Sequence, residues 1–409
     1  MKSFFGGYER GEIYGVGSYM MGNSNLLKEK VCKDIDKIKA ELLTISHYLC
    51  NNPEVGFQEY KAAQALTDSL RNANFIVEIG VCDLETAFIG TYGQGTPTIA
   101  FVAEYDALPG IGHACGHNII ASATLGAAIG LSKVMGGNTC GTVKVIGTPA
   151  EENGSGKIIM LQKGAFIGVD VAMMLHPNSS SMADDISYAT RKVEFTFQGK
   201  AAHAAVSPWA GANALSGVIQ MFNLVDSMRL HVKDYARIHG IITDGGVATN
   251  IIPETAQAVF SIRALNSNYL EELAGIVNRC AQGAAIGTGT TFEYRVLGSG
   301  CREVRNNKTL VKLLQTNFSQ LGEPIVERDF SQGIGATDMG NVTHEIPAIH
   351  GYIGLGEGLA LHTKEFAKKA LSPEGDKAIL TAAKVMAMTA VDILVDPSIL
   401  FKIKKYDNE

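Results

Sequence analysis

A chain of 409 residues exceeds the roughly 250–300 residues at which one hydrophobic core stops growing, so two domains are expected. Hydrophobic residues at 46% against 19% charged exclude a disordered chain. A net charge of −6 gives no basic footprint for nucleic acid, which leaves a small molecule or dipeptide as the expected partner.

Residues 1–23 are Gly-rich and aperiodic, and a flexible extension is expected there. Glu9, Arg10 and Glu12 interrupt the apolar run that a signal peptide needs. Seven cysteines at 32, 50, 82, 115, 140, 280 and 301 form an odd, scattered set. That argues against a disulfide framework and for a reducing, cytoplasmic location.

From Leu26 to Leu49 apolar residues recur at helical spacing, and NPEVGFQEYKAAQALTDSLRNANF continues with a turn and a second helix ending near Asn74. TPTIAFVAEYDALP, GTVKVIGTPAEE and GVDVAMMLHPN are short apolar runs that end in polar residues, as buried parallel strands do. In an open α/β sheet functional groups gather beyond the carboxyl ends of such strands. Asp106, Glu151, Glu152 and His176 would fall there.

Near residue 188 the texture becomes βαββαβ, a unit that forms its own antiparallel sheet with helices on one face. An inserted domain is therefore expected over 188–298, with 24–187 and 299–409 as one discontinuous catalytic domain. The helix KTLVKLLQTNFSQLG and the strand PAIHGYIGLG resume the α/β alternation. The apolar stretch AILTAAKVMAMTAVDILV contains Lys384 and Asp392 at helical spacing, so a packed helix is expected rather than a membrane span.

The stretch GIGHACGHNIIASA, residues 110–123, is the most informative. Divalent metals take imidazole, carboxylate and thiolate ligands from several segments. Cys115 and His117 can converge on one point if Gly116 lets the backbone turn. His113 is expected to be a structural hydrogen-bonder. PAEEN adds two adjacent carboxylates at a strand end, one to ligate and one to hold a water, which suits metal-assisted hydrolysis. NGSGKII imitates a phosphate-binding loop but has Glu151 where a glycine is needed and Ile158 where Ser or Thr is needed. Two rival readings use the same residues: a cysteine hydrolase with Cys115 as nucleophile, and a non-catalytic binding protein.

EYDALPGIGHACGHN, TPAEENGSGK, MMLHP, GKAAHAAVSPWAGANAL, TNIIP and ATDMGNVTHEIPAIHGYIGLG…LHT together resemble the dinuclear-metal amidohydrolase and exopeptidase family. The nearest branch contains hippurate and auxin-conjugate hydrolases, aminobenzoyl-glutamate hydrolase and the aminoacylase-like β-alanyl-lysine dipeptidase. The resemblance runs in order from about Asn51 to Ser372. It implies an α/β fold with a mostly parallel central sheet, helices on both faces and an inserted α+β lid or dimerisation domain. It implies hydrolysis of the amide bond of N-acyl amino acids or small dipeptides by two divalent ions, Zn²⁺ or Mn²⁺.

Carried over residue by residue, the resemblance makes Cys115 the bridging ligand and His117, Glu152, His176 and His362 the other ligands. Glu151 becomes the general base, and Asp106 orients the ligand sphere. His203, Asn250 and Arg263 become contacts to the substrate carbonyl or carboxylate, with His203 donating to the oxyanion across a homodimer. Asn118 after CGH and Glu104 before YDALP depart from the commoner pattern. They point away from hippurate-type substrates and toward aminobenzoyl-glutamate-like or β-alanyl-lysine-like ones.

Overall fold

The computed structural model describes residues 14–135, 141–330 and 333–406. In chain order α1 (Tyr14–Lys37), α2 (Lys39–Asn51) and α3 (Tyr60–Asn72) precede β1 (Ile76–Ile79), β2 (Phe88–Gln94), β3 (Thr98–Ala103) and α4 (His117–Val134). Then come β4 (Gly141–Gly147), the one-turn α5 (Glu151–Gly154), α6 (Gly156–Gln162) and β5 (Val171–Asn178). The inserted unit is β6 (Ala189–Gln198), α7 (Ala214–Met228), β7 (Arg237–Asp244), β8 (Thr255–Ala264), α8 (Ser267–Thr288) and β9 (Thr291–Leu297). Finally α9 (Lys308–Gln320), α10 (Met339–Glu345), β10 (Ala348–Gly354), α11 (Lys364–Ala370), α12 (Pro373–Val395) and α13 (Pro397–Tyr406) return to the first layer.

The central sheet has the order β1-β2-β4-β3-β5-β10. β4, β3, β5 and β10 run parallel, and β1 and β2 add an antiparallel hairpin at one edge. The parallel strands read as unbroken apolar runs because both faces are covered. Ile99, Phe101, Val145 and Met173 face one helical layer, and Ala100, Val102, Ile146 and Met174 face the other. The α/β class and the mostly parallel sheet are as expected.

Helix α4 is buried along almost all its length. A Cβ on Gly126 would lie 2.8 Å from Leu42 Cδ1 and 2.9 Å from Ala383 Cβ, so glycine sets how closely α2 and α12 approach α4. Leu42 is fully buried there, and its truncation to alanine would cost about 2–5 kcal/mol. Among the described residues α12 is the one helix long and apolar enough to cross a membrane, and most of it is buried inside the protein.

The second sheet, β7-β8-β6-β9, is antiparallel throughout. Strand β8 alternates half-buried and buried residues without a break, and α7 and α8 cover the apolar face of Phe195, Phe197, Phe260 and Ile262. Its other face and the edge strand β7 are open, with Ile241 65% exposed.

One boundary differs from expectation. Helix α1 opens at Tyr14 rather than Leu26, so it takes in residues expected to form a flexible extension. Gly15, Gly17 and Gly22 break the apolar spacing that would have marked it. Residues 1–13 lie outside the described residues, as does Cys140.

Candidate metal centre

Three strand ends and one helix start build most of the site. Glu104 and Asp106 follow β3, Glu151 and Glu152 follow β4, His176 lies near the end of β5, and His117 opens α4. Gly116 holds φ +75°, and a Cβ there would sit 2.4 Å from Pro177 Cγ. Only glycine meets both demands. Ala150, immediately before Glu151, and His362 are also left-handed at φ 57° and 63°. For residues with a side chain this costs on the order of 1–3 kcal/mol each, and such strain gathers where function fixes the backbone.

The ring of His117 is set by Asp106. Nδ1 lies 2.9 Å from Asp106 Oδ1 and 3.0 Å from its carbonyl oxygen, so it donates there and Nε2 is left as the acceptor. Nε2 is buried and makes no hydrogen bond. Asp106 Oδ2 accepts from the Glu152 N–H at 3.0 Å, so one carboxylate joins both segments. His176 donates Nδ1 to the Pro177 carbonyl at 2.7 Å and presents Nε2 to Cys115 Sγ at 3.4 Å. His362 Nε2 stands 3.3 Å from Glu152 Oε1.

Among the described residues four groups of donor atoms lie close enough to hold a cation, and two of them share Cys115. Donor atoms of Cys115, His117 and His176 lie within 4.8 Å of one another, as do those of Cys115, Glu152 and His362. Cys115 belongs to both, which is the position of a bridging ligand. The buried, unpartnered Nε2 of His117 and the mixed N, O and S donor set fit divalent metal.

Burial pushes the Cys115 thiol up, and burial pushes His176 down to about 4. Burial thus disfavours both charges that a Cys115–His176 nucleophile pair would carry. A cation beside the sulfur is what makes its thiolate tenable. Burial, with Glu104 and Asp338 close by, raises Glu151 well above the usual carboxylate range. Burial also opposes the charge on Asp106, but the neighbouring His117 holds it down at about 2. Burial opposes the charge on Glu152 too, but His362 beside it, with His117, holds it below the usual carboxylate range.

Cys115, Glu151, Glu152, His176 and His362 open onto a cavity of about 440 Å³ whose wall includes Arg263 from β8 of the inserted unit. The Arg263 Nε is buried and makes no hydrogen bond. His203 and Asn250 do not line this cavity. They are exposed and adjacent: the Ala204 N–H donates to the Asn250 carbonyl at 3.0 Å, and His203 Nδ1 accepts from Ala205 and Val206 at 3.2 and 3.3 Å.

His113 is buried, and burial pushes it down to about 3, so it is neutral. Sequence reasoning gave no role to Lys157, Asp338, His350 or Tyr352. Lys157 and Asp338 meet beneath the site, and His350 and Tyr352 line the cavity. An ionisable residue inside an otherwise apolar helix or strand, as in GKIIM and PAIHGY, was the available signal.

Residues 100–391 match peptidase family M20/M25/M40. The Xaa-Arg dipeptidase of Homo sapiens is 35% identical over 400 residues, covering 93% of this chain and 92% of that protein. A p-aminobenzoyl-glutamate hydrolase chain of Escherichia coli (strain K12) is 30% identical, covering 87% of this chain and 89% of its own. A dinuclear metal binding peptidase of known structure from Bacillus subtilis shares the fold, with a TM-score of 0.71 at 21% identity over 88% of this chain and 99% of that one. With this cluster of donor side chains and similarity along most of its length, the chain belongs to peptidase family M20/M25/M40.

Proposed function

We propose that the chain is a dipeptidase for dipeptides with a basic carboxyl-terminal residue, working with two divalent ions, Zn²⁺ or Mn²⁺. The observation that carries the two-ion reading is that two groups sharing only Cys115, one with His117 and His176 and the other with Glu152 and His362, bring five donor residues, Cys115 included, around one sulfur. His117 and His176 would complete one group, and Glu152 and His362 the other. When bound, the ions supply Lewis acidity to the scissile carbonyl and to the attacking water.

The rest is work for this chain's own side chains. Glu151, raised by burial and by its acidic neighbours, is suited to take a proton from the water and return it to the leaving amine. Arg263, a guanidinium facing the cavity, suits the substrate carboxylate, which it can grip with two parallel hydrogen bonds. The choice of a basic residue is supported by the 35% identical relative, an Xaa-Arg dipeptidase. The E. coli relative makes aminobenzoyl-glutamate the second substrate to try.

A homodimer formed through the inserted unit is part of the same reading. Strand β7 is an open edge, a natural template for a second copy. His203 and Asn250 lie away from their own chain's cavity, so His203 would serve the partner's site. Six cysteines among the described residues are free, in keeping with a reducing compartment such as the cytoplasm.

The test is metal-stripped protein assayed on β-alanyl-lysine, alanyl-arginine, aminobenzoyl-glutamate and hippurate. Activity on the basic dipeptides should return with added Zn²⁺ or Mn²⁺ and not without. Turnover that survives chelation would remove the metal reading and restore the cysteine nucleophile. A metal-loaded protein inert on all four would support the binding-protein rival.

A further inference from the structure

Beside the ligands lies a charged pocket of which the reaction above uses only Glu151. Lys157, on α6, is fully buried. Its Nζ stands 2.6 Å from Glu104 Oε1 and 2.6 Å from Asp338 Oδ1, and its backbone N–H donates to Asp338 Oδ2 at 3.0 Å. Carboxylate oxygens of Glu104, Glu151 and Asp338 lie within 4.8 Å of one another. Carboxylates taken out of water must be paired or neutralised, and the Lys157 ammonium sits where a cation would be needed.

The other oxygen of Glu104 carries the consequence. Neither Glu104 oxygen makes a hydrogen bond: Oε1 is held by its ion pair with Lys157, and Oε2 stands 3.3 Å from His117 Nε2, itself buried and without one. A carboxylate oxygen and an imidazole nitrogen, both without a hydrogen bond, therefore face each other at 3.3 Å. Lys157 fixes this by gripping Oε1, and Asp338 grips Lys157 through both ammonium and backbone. Lys157 does not line the cavity, so it acts through Glu104 rather than on substrate.

We propose that Lys157 is a positioning residue of the metal centre: it holds Glu104 so that the free oxygen joins His117 in facing a metal ion. This rests on the metal-hydrolase reading above. The competing role is charge balance alone, in which Lys157 serves only to neutralise a crowded acidic pocket.

Three variants of the full chain separate these roles: Lys157→Met, Glu104→Gln, and the double variant Lys157→Met with Asp338→Asn. The double variant removes one charge of each sign, so the pocket keeps its net charge while Glu104 loses its grip. Zinc affinity by chelator competition should fall about tenfold or more in Glu104→Gln and in the double variant, the range for lost outer contacts to a ligand sphere. On the best dipeptide of the panel kcat should fall with KM within about twofold, because the loss lies at the metal and not in substrate binding. The metal-free double variant should melt close to the parent. If Lys157→Met does not fold, the other two proteins carry the test. A double variant with the parent's zinc affinity and kcat reduces Lys157 to charge balance and overturns the proposal, as does unchanged zinc affinity in Glu104→Gln. A parent that takes up no divalent ion removes the metal reading itself; unchanged variants of a zinc-binding parent remove this proposal alone.

Discussion

Asp106 accepts the Nδ1 proton of His117 at 2.9 Å, and that bond decides which ring nitrogen is left for metal. Asp106→Asn withdraws the charge that fixes the tautomer while keeping the shape. Metal affinity should fall about 10- to 100-fold, as it does when such outer partners are removed. Isothermal titration with zinc measures it, and an unchanged affinity would show that the Asp106 carbonyl at 3.0 Å suffices alone.

Glu151→Gln separates proton transfer from metal binding. The amide can still hydrogen-bond but cannot take a proton, so kcat should drop by about 10²- to 10⁴-fold. Elemental analysis should find the parent's metal content. Near-parental turnover in the metal-replete variant would take Glu151 out of the base role.

Arg263→Gln should act on substrate capture. The guanidinium reaches the cavity from the inserted sheet, far from any need to hold metal. Losing a charge-assisted pair costs about 1.5–3 kcal/mol, roughly a 10- to 100-fold rise in KM. A substrate whose carboxylate is blocked as an amide should be equally poor with parent and variant. If the variant instead loses the same factor on the blocked substrate, Arg263 does not hold the carboxylate.

Complementation tests the action of His203 across a dimer. Mixed and allowed to exchange, His203→Ala and Glu151→Gln chains form hybrids with one doubly damaged site and one intact site. With half the dimers hybrid, about a quarter of parental activity should return from two nearly inactive proteins. Exchange without recovery would place His203 within its own chain or outside the reaction.

Glu303 sets an acid limit on stability. Its carboxylate accepts from Ser267 at the start of α8 and stands 3.4 Å from His344 Nε2 on α10, so it ties the inserted unit to the central layer. Burial opposes its charge, but the bonds from His344 and Ser267 hold it from an ordinary 4.5 down to about 2. A depressed carboxylate stabilises the fold fully above its unfolded pKa and loses that contribution as pH falls through the folded one. Stability should therefore decline between about pH 4.5 and pH 2, by about 1–2 kcal/mol once solvent screening is counted. Urea midpoints across that window should flatten in Glu303→Gln, and an identical pH slope in that variant would refute the assignment.

The parts of the protein legible in sequence were those with a short-range signature. Val102, Val145 and Met173 sit in unbroken apolar runs because their strands are covered on both faces, and Phe260 and Ile262 alternate with half-buried neighbours on β8. The hairpin of β1 and β2 left little trace, since IVEI is only four residues long and mostly exposed and FIGTYGQ is punctuated by Gly90 and Gly93. At the site, Cys115, His117, Glu151 and Glu152 announce themselves by local spacing. Lys157 and Asp338 are 181 residues apart and bond across two helices. No window along the chain could have joined them, and the glycines before Lys157 drew attention to the wrong chemistry.

Arg263 gives the cavity a measure of length. The proposed metal ligands sit on the central sheet and its connections and the guanidinium on the second sheet, so the gap between them is set by how the two layers pack. If the substrate carboxylate docks on Arg263, a bond one residue upstream falls at the metals. Each further residue would carry the carboxylate about 3.3–3.6 Å beyond reach. The cleaved bond would then be counted from the carboxyl end of the substrate, because a bond further upstream, placed at the metals, would put the carboxylate out of reach of Arg263.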